Sequence, residues 1–410
     1  MGCCDTPGLK PIADALTQML DAVEPFCEQI TQPIQSAIGF TLAQAVISPV
    51  YVPPFNNSAM DGYAFRAADL NNNTELTLVG KSFAGAPFRG DIPKGGCIRI
   101  MTGAPLPEDA DSVEMQENTQ INGSFIQFQA NVRQGQNVRL RGEDITAGQR
   151  LFEAGHTLRS RDIPLLASLG IAKVNVYQPL KVAIFSTGDE LKHVDQALKE
   201  GQIYDSNRYC LNAILSKMNV EVIDFGIIAD DPALLKDTFL QANQQADVVI
   251  TSGGVSVGEA DYTKDILEQL GEIGFWKLAI KPGKPFAFGK LSDSVFFGLP
   301  GNPVSALVTL TQLALPTMAK MAGAKPTQAL RLPAITTHGF KKVPGRTDFQ
   351  RGIYQVNDDG KLTVSSTGGQ GSGVFSGMSQ ANCFVILEQA RGNVAAGETV
   401  TIEVFSDYLN

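Results

Sequence analysis

At 410 residues the chain exceeds one ordinary domain, and about two to four are expected. Its 43% hydrophobic content is that of a globular protein, while a net charge of −9, from 33 basic and 42 acidic residues, argues against the basic face that a nucleic-acid partner requires. Small anions stay open, because local lysines and backbone N–H groups can hold them. Cys3, Cys4, Cys27, Cys97, Cys210 and Cys383 form no C-x-x-C pair. They read as reduced thiols of a cytoplasmic protein rather than as a zinc ribbon or redox pair. His156, His193 and His338 lie far apart, which argues against a histidine metal site or a Ser-His-Asp triad. No apolar run reaches membrane-spanning length; the best, from 304 to 322, carries Thr, Gln, Pro and Lys. MGCCDT fits the myristoylation pattern, but a poorly ordered tail matching a permissive pattern is the preferred reading.

Along the chain, Ile12, Leu16, Met19, Leu20 and Val23 make a helical stripe over 11–23, and a second helix is expected over roughly 33–47. Pro53 and Pro54 in YVPPFNNS break any helix. From there to 139, short alternating strands and glycine turns predict a β-rich domain. Residues 140–178 hold glycine turns and a helix near RDIPLLASLG. From 179 to 327, strand-length apolar runs (KVAIFS, VEVIDFG, DVVITS, SVFFGL) alternate with helical stripes such as Leu211, Ile214, Leu215 and Met218. That alternation predicts an α/β fold with a mostly parallel sheet covered on both faces. Asp231-Pro232 and Asn302-Pro303 each place an N-cap before a proline at the first helical position. After 328 the chain reads as a separate β domain, with NDDG as a hairpin turn.

Four loops follow strands of the α/β region and should open on one rim, where such sheets bind ligands. They are STGDEL with Asp189 and Glu190, IIADDP with Asp230 and Asp231, TSGGVSVGEADYT with Gly253, Gly254, Ser256, Glu259 and Asp261, and GLPGNPVSA with Pro300 and Pro303. The last should present a helix N-terminus to an anion. KLAIKPGKPFAFG adds Lys277, Lys281 and Lys284. Glycines allow close backbone approach to an anion. Carboxylates beside that anion imply a bridging divalent cation, so the constellation points to phosphate or pyrophosphate with Mg²⁺. Each piece also has a structural reading: Asp231 as a helix cap, Gly253 and Gly254 as a tight turn, Lys290 as solvated surface. Outside this region, Asp61 in NNSAMDGYA and Thr102 in MTGAP read as turn residues. RLRGEDI reads as an ion-paired surface loop. Glu114 stands where a strand would carry an apolar side chain.

NNSAMDGYA, MTGAP, RGEDI, STGDEL, IYDSN, TSGGVSVGEADYT, KPGKPFAFG and GLPGNPVSA, in this order, resemble the molybdenum insertases, the molybdopterin molybdenumtransferase family that includes MoeA and the E domain of gephyrin. The resemblance runs from about residue 9 to the C-terminus. It implies an elongated linker and dimerisation domain (9–50 and 140–178), a β-rich insertion (51–139), an α/β molybdopterin-binding domain (179–327) and a C-terminal β domain (328–410). It further implies a homodimer whose active cleft is shared between subunits, and insertion of molybdate into molybdopterin adenylate with release of AMP. Carried over by motif, Asp61, Thr102, Asp144, Glu190, Asp230 and Asp261 are active-cleft positions, and Lys277 and Lys281 bind anions. Pro300 and Pro303 shape the fourth loop. Within that set Glu190, Asp230 and Asp261 are expected to hold Mg²⁺, and Gly253, Gly254 and Ser256 to contact phosphate. Implied partners are the adenylyltransferase of the preceding step and recipient molybdoenzymes. The alternatives are a molybdopterin adenylyltransferase, which the β-rich insertion argues against, and a non-catalytic pterin-binding scaffold.

Overall fold

The computed structural model describes residues 8–26, 28–71, 73–129, 132–254, 262–325, 329–406 and 409. The chain divides into two compact units: Met1–Ala43 with Gly155–Arg159 and Asn175–Asn410, and Gln44–Ala154 with Ser160–Val174.

The larger unit is built on a six-stranded sheet. Its strands and helices in chain order are β1 (Leu180–Thr187), α1 (Ser206–Leu215), β2 (Val220–Ile228), α2 (Pro232–Gln245), β3 (Val248–Ser252), α3 (Tyr262–Leu270), β4 (Gly271–Lys277), β5 (Pro285–Leu291), β6 (Val295–Leu299) and α4 (Pro303–Thr309). Strand order is β2-β1-β3-β6-β5-β4. The first four run parallel, β5 pairs antiparallel with β6, and β4 at the edge pairs antiparallel with β5.

The apolar runs that announced these strands are explained by burial on both faces. Val182, Ile184, Val248 and Ile250 enter one core, and Ala183, Phe185 and Val249 enter the other. Helix α2 begins where expected: Asp231 accepts the Leu234 N–H at 2.9 Å ahead of Pro232. Helix α4 also begins at its proline, but Asn302 makes no side-chain cap bond, contrary to expectation.

Beyond α4 come β7 (Arg331–Thr336), β8 (Thr347–Val356), β9 (Leu362–Ser366), β10 (Cys383–Leu387) and β11 (Thr399–Val404). Their order is β8-β9-β7-β11-β10, and β10 pairs back onto β8, closing a barrel. Phe349, Phe384 and Phe405 of this barrel belong to the same buried cluster as Leu180, Val248 and Leu307 of the α/β part. The N-terminal helix Ile12–Ala22 inserts Ala15 and Met19 into that cluster as well.

The helix expected over 33–47 does not form. Only a single 3₁₀ turn, Ile34–Ser36, occurs there. Gly39 sits at φ +86°, outside helical space. The backbone beyond it is spent on distant partners, with the Leu42 N–H donating to the His156 carbonyl and the Ala43 N–H to that of Asn175. Long-range pairing outcompetes a stripe of apolar residues at helical spacing.

The smaller unit carries its own six-stranded sheet, in the order Ser112–Met115, Gly62–Phe65, Gly96–Ile100, Glu75–Ser82, Phe125–Phe128, Thr119–Asn122. Alternate residues feed its two faces: Ala64, Ile98 and Val113 on one, Phe65, Cys97 and Ile126 on the other. Glu114, out of pattern by sequence, is buried at 1% exposure. It is accommodated because Asn118 Nδ2, Gln136 Nε2 and the Met115 N–H donate to its carboxylate at 2.8, 2.8 and 3.0 Å. Among the described residues no helix is long and apolar enough to cross a membrane.

Candidate functional site

The four strand-end loops of the larger unit do gather on one rim, around a cavity of about 970 Å³. Gly188 and Glu190 reach it from β1, Asp230 from β2, Gly253 and Gly254 from β3, and Pro300 to Pro303 from β6. The N-terminus of α1 adds Asp205 and Asn207, the KPGKP turn adds Lys281 and Lys284, and the barrel adds Arg346, Gln370 and Ser372.

The glycines are there for steric reasons. Gly253 and Gly254 lie at φ +92° and +64°. A Cβ on the first would stand 2.7 Å from the Thr187 carbonyl oxygen, and one on the second 2.4 Å from Thr263 Oγ1. The Gly253 N–H donates to the Leu299 carbonyl at 3.1 Å, so that amide is spent on joining two loops and does not serve the expected phosphate contact. Asn207 joins the same loops: its Nδ2 donates to Ser252 Oγ at 2.8 Å and to the Gly301 carbonyl at 2.7 Å. The helix N-terminus of the fourth loop is also occupied. Pro303 has no N–H, and the Val304 N–H donates to the Ser372 carbonyl at 3.1 Å. Its role is to seat the barrel's loop on the cavity rather than to present free amides.

The acids form a like-charge group. The Asp230 N–H donates to Asp189 Oδ1 at 3.1 Å. Burial, and then the neighbouring Asp189 and Glu190 charges, hold the Asp230 carboxyl above the usual carboxylate range. Glu190 folds back over Gly188, where a Cβ would lie 2.6 Å from Glu190 Oε2. Neither Glu190 nor Asp230 forms an ion pair among the described residues. Two uncompensated carboxylates beside a cavity of nucleotide size fit a divalent cation that takes its other ligands from phosphate and water. Among the described residues no group of three or more His, Cys, Asp and Glu side chains is arranged to hold an ion unaided.

Of the positions foreseen by sequence, Glu190, Asp230, Gly253, Gly254, Lys281, Pro300 and Pro303 line this cavity. Lys277 does not. It ends the edge strand β4, its side chain is exposed, and its carbonyl accepts the Lys10 N–H. Lys284 takes that place in the lining. Ser256 and Asp261 fall outside the described residues.

Asp61, Thr102 and Asp144 belong to the smaller unit. Asp61 is not a self-contained turn residue. Its Oδ1 accepts both the Thr102 N–H at 2.7 Å and the Thr102 hydroxyl at 2.8 Å. These two bonds hold its carboxyl below the usual carboxylate range. Gly62 beside it cannot bear a side chain, since a Cβ would stand 1.9 Å from the Glu114 carbonyl oxygen. Asp144 sits in an exposed turn, where its N–H donates to the Val52 carbonyl. The loop around it is not ion-paired among the described residues. Glu143 accepts the Leu140 N–H, and Arg141 stacks on Tyr51 at 4.1 Å.

Sequence reading missed Arg346, Gln370, Ser372 and Asn207. The glycine cluster STGGQGSG was an available signal for the barrel loop, and Asn207 lies within IYDSN, a motif already singled out. The thiols of Cys97 and Cys383 are pushed up to about 12 by burial, and that of Cys210 to about 11, so none is a ready nucleophile.

Three sequence families match the chain: "MoeA N-terminal region (domain I and II)" over residues 10–170, "Probable molybdopterin binding domain" over 183–320 and "MoeA C-terminal region (domain IV)" over 333–405. A molybdopterin molybdenumtransferase of Haemophilus influenzae is 52% identical over 378 residues, covering 92% of this chain and 94% of that protein. The chain belongs to the MoeA family. A molybdopterin molybdenumtransferase of Nostoc is 33% identical over 408 residues, covering 97% of this chain and 93% of that one. The fold of MoeA is also matched in a crystal structure, the molybdopterin biosynthesis moeA protein of Pyrococcus horikoshii, with TM-score 0.84 and 28% identity over 97% of this chain and 100% of that one.

Proposed function

We propose that this MoeA-family chain is a molybdopterin molybdenumtransferase: it inserts molybdate into adenylylated molybdopterin, releasing AMP and forming molybdenum cofactor. The observation that carries the reading is the convergence of strand-end loops, bearing both uncompensated acids and cations, on a cavity of about 970 Å³. That volume suits a nucleotide-linked pterin. The division of labour follows from the side chains. Lys281, Lys284 and Arg346 offset oxyanion charge, a role worth several kcal/mol in a dry site. Gly254 lets backbone approach the pyrophosphate, and Asn207 keeps its loop fixed to Gly301. Glu190 and Asp230 would hold Mg²⁺, with Asp261 as a third position by motif. A bound Mg²⁺ supplies charge neutralisation on the pyrophosphate oxygens. Asp61 and Thr102, already locked together, act as a preset acceptor–donor pair in the same reaction.

Purified protein given molybdopterin adenylate should release AMP only when molybdate is added, as read by chromatography of the nucleotide. Asp61→Ala should lower that rate by at least about a hundredfold with an unchanged melting temperature. Molybdate-independent AMP release, or ATP-driven adenylylation of molybdopterin, would replace this reading with the adenylyltransferase. We also infer a cytoplasmic homodimer, for which sedimentation should give about twice the chain's 43.9 kDa. Transient contacts with the enzyme that supplies the adenylate and with recipient molybdoenzymes complete the proposal; co-purification with either would be the check.

A further inference from the structure

Lys281 is the cavity lysine whose position is fixed by something outside the KPGKP turn. Its Nζ lies 3.1 Å from Asp348 Oδ2. The two ends of this pair differ sharply: the lysine side chain is 43% exposed and the aspartate 3%. A flexible ammonium facing the cavity is therefore tied to a carboxylate that solvent barely reaches.

The backbone sets this meeting. The two-residue strand Ile280–Lys281 pairs in parallel with β8, with Ile280 opposite Thr347 and Lys281 opposite Asp348. The Thr347 N–H donates to the Ala279 carbonyl at 2.8 Å, which fixes the register. The carboxylate is itself held. Gln350 Nε2 donates to the same Asp348 Oδ2 at 3.0 Å and to the Lys341 carbonyl at 2.9 Å, and Gln350 is 3% exposed. Asp348 and Gln350 share one face of β8, as the strand period requires. Other cations stand nearby. Arg346 lines the cavity, and Lys342 is buried with its amino group on the Val343 carbonyl. Burial holds the Lys342 amine below the usual lysine range, and Asp348 is the first of the nearby charges that oppose this.

We propose that Asp348 is a positioning residue for oxyanion binding: it fixes the Lys281 ammonium at the cavity wall. The inference rests on the reading of Lys281 as a cation that offsets oxyanion charge, and it takes that oxyanion to be molybdate. Two effects of Asp348 have opposite signs. As a bare charge it repels an arriving oxyanion, so its removal would tighten binding. As an anchor it holds a long side chain in one rotamer, so its removal would weaken binding, because a free lysine must be ordered when the anion arrives. A carboxylate at 3% exposure, locked by Gln350 and by strand register, is built as an anchor.

The sign of the effect is the test. In the full chain, Asp348→Asn removes the charge, Asp348→Glu keeps the charge but moves it by one methylene, and Lys281→Ala removes the ammonium. The rate of AMP release is measured against molybdate concentration, and separately against adenylate. The positioning role predicts a KM for molybdate raised by about tenfold to a hundredfold in both Asp348 variants, as misplacement of a catalytic-site group does. The KM for adenylate should stay near that of the parent. A molybdate KM unchanged or lowered in Asp348→Asn overturns the inference in favour of the charge effect. If that variant does not fold, an unchanged molybdate KM in Asp348→Glu overturns it equally. Lys281→Ala separates the two levels: an unaltered molybdate dependence there overturns the reading of the cavity, whereas a loss there with no loss in the Asp348 variants overturns the positioning role alone.

Discussion

Arg351→Leu should destabilise the protein by about 3–5 kcal/mol, the order expected when a buried charged side chain loses three hydrogen bonds. Arg351 is wholly buried on β8, on the face opposite Asp348 and Gln350. Its guanidinium is spread over a run of backbone carbonyls: Nη2 donates to Gly369 and Gly371 at 2.9 and 3.0 Å, and Nη1 to Gln370 at 3.2 Å. Its own N–H and carbonyl are read by the Gln370 side chain at 2.8 and 3.1 Å. Leucine fills much of the volume but supplies none of these donors, and because Gly369 and Gly371 are exposed their carbonyls turn to water, which releases the loop from the barrel wall. The loss is not confined to stability, since the carbonyl-bearing loop supplies Gln370 and Ser372 to the cavity and is tied to α4 through the Val304 N–H. The KM for adenylate should therefore rise along with the fall in melting temperature. Arg351→Lys should recover only part of either, because one ammonium cannot match a planar fork that reaches several carbonyls. Wild-type melting in Arg351→Leu would show that the guanidinium is not what holds the loop.

That arginine also marks the limit of what could be read from the sequence. The α/β core was legible because each parallel strand is buried on both faces, so KVAIFS and DVVITS appear as unbroken apolar runs. The rim was legible because the topology sends every parallel strand's carboxyl end to one side, and the glycine- and acid-rich segments follow those ends. Arg351 and Asp348 give no such local signal. A charged residue in a strand reads as solvent-facing, and only the barrel's closure brings residues 369–371 and the KPGKP turn to meet them. The same cause defeated the helix expected at 33–47: Ile34 and Ile38 mimic helical spacing, but their segment is consumed by partners at 155–176. Lys277 and Lys281 are four residues apart in one lysine-rich stretch. They part company because β4 ends at the first, while the second begins the turn that β8 captures.

Glu190→Gln should lower the rate of AMP release by a factor on the order of 100 at fixed Mg²⁺, with part of the loss restored as Mg²⁺ is raised. The acids of the cavity are short of counter-charge. Glu190 and Asp230 share the cavity without an ion pair among the described residues, and the Asp230 carboxyl is held above the usual carboxylate range by burial and then by Asp189 and Glu190. A divalent cation needs both carboxylates ionised, so its affinity should fall as pH drops through that raised range. Replacing Glu190 removes a ligand and also removes one of the charges that raise Asp230. With less repulsion, the Asp230 carboxyl moves back toward the ordinary value and stays ionised to lower pH. The acid limb of the rate profile should therefore shift to lower pH in Glu190→Gln even as the maximum falls. The same coupling has a stability counterpart with a fixed sign. A carboxyl whose folded-state pKa is raised contributes stability when protonated and loses it as pH rises through that pKa. Asp230→Asn should thus melt slightly above wild type at neutral pH without Mg²⁺, with the difference vanishing in acid and the rate of AMP release impaired throughout. A Glu190→Gln profile whose acid limb stays in place, together with a rate insensitive to Mg²⁺, would remove this acid pair from metal binding and leave the cations of the KPGKP turn and barrel as the cavity's only electrostatic machinery among the described residues.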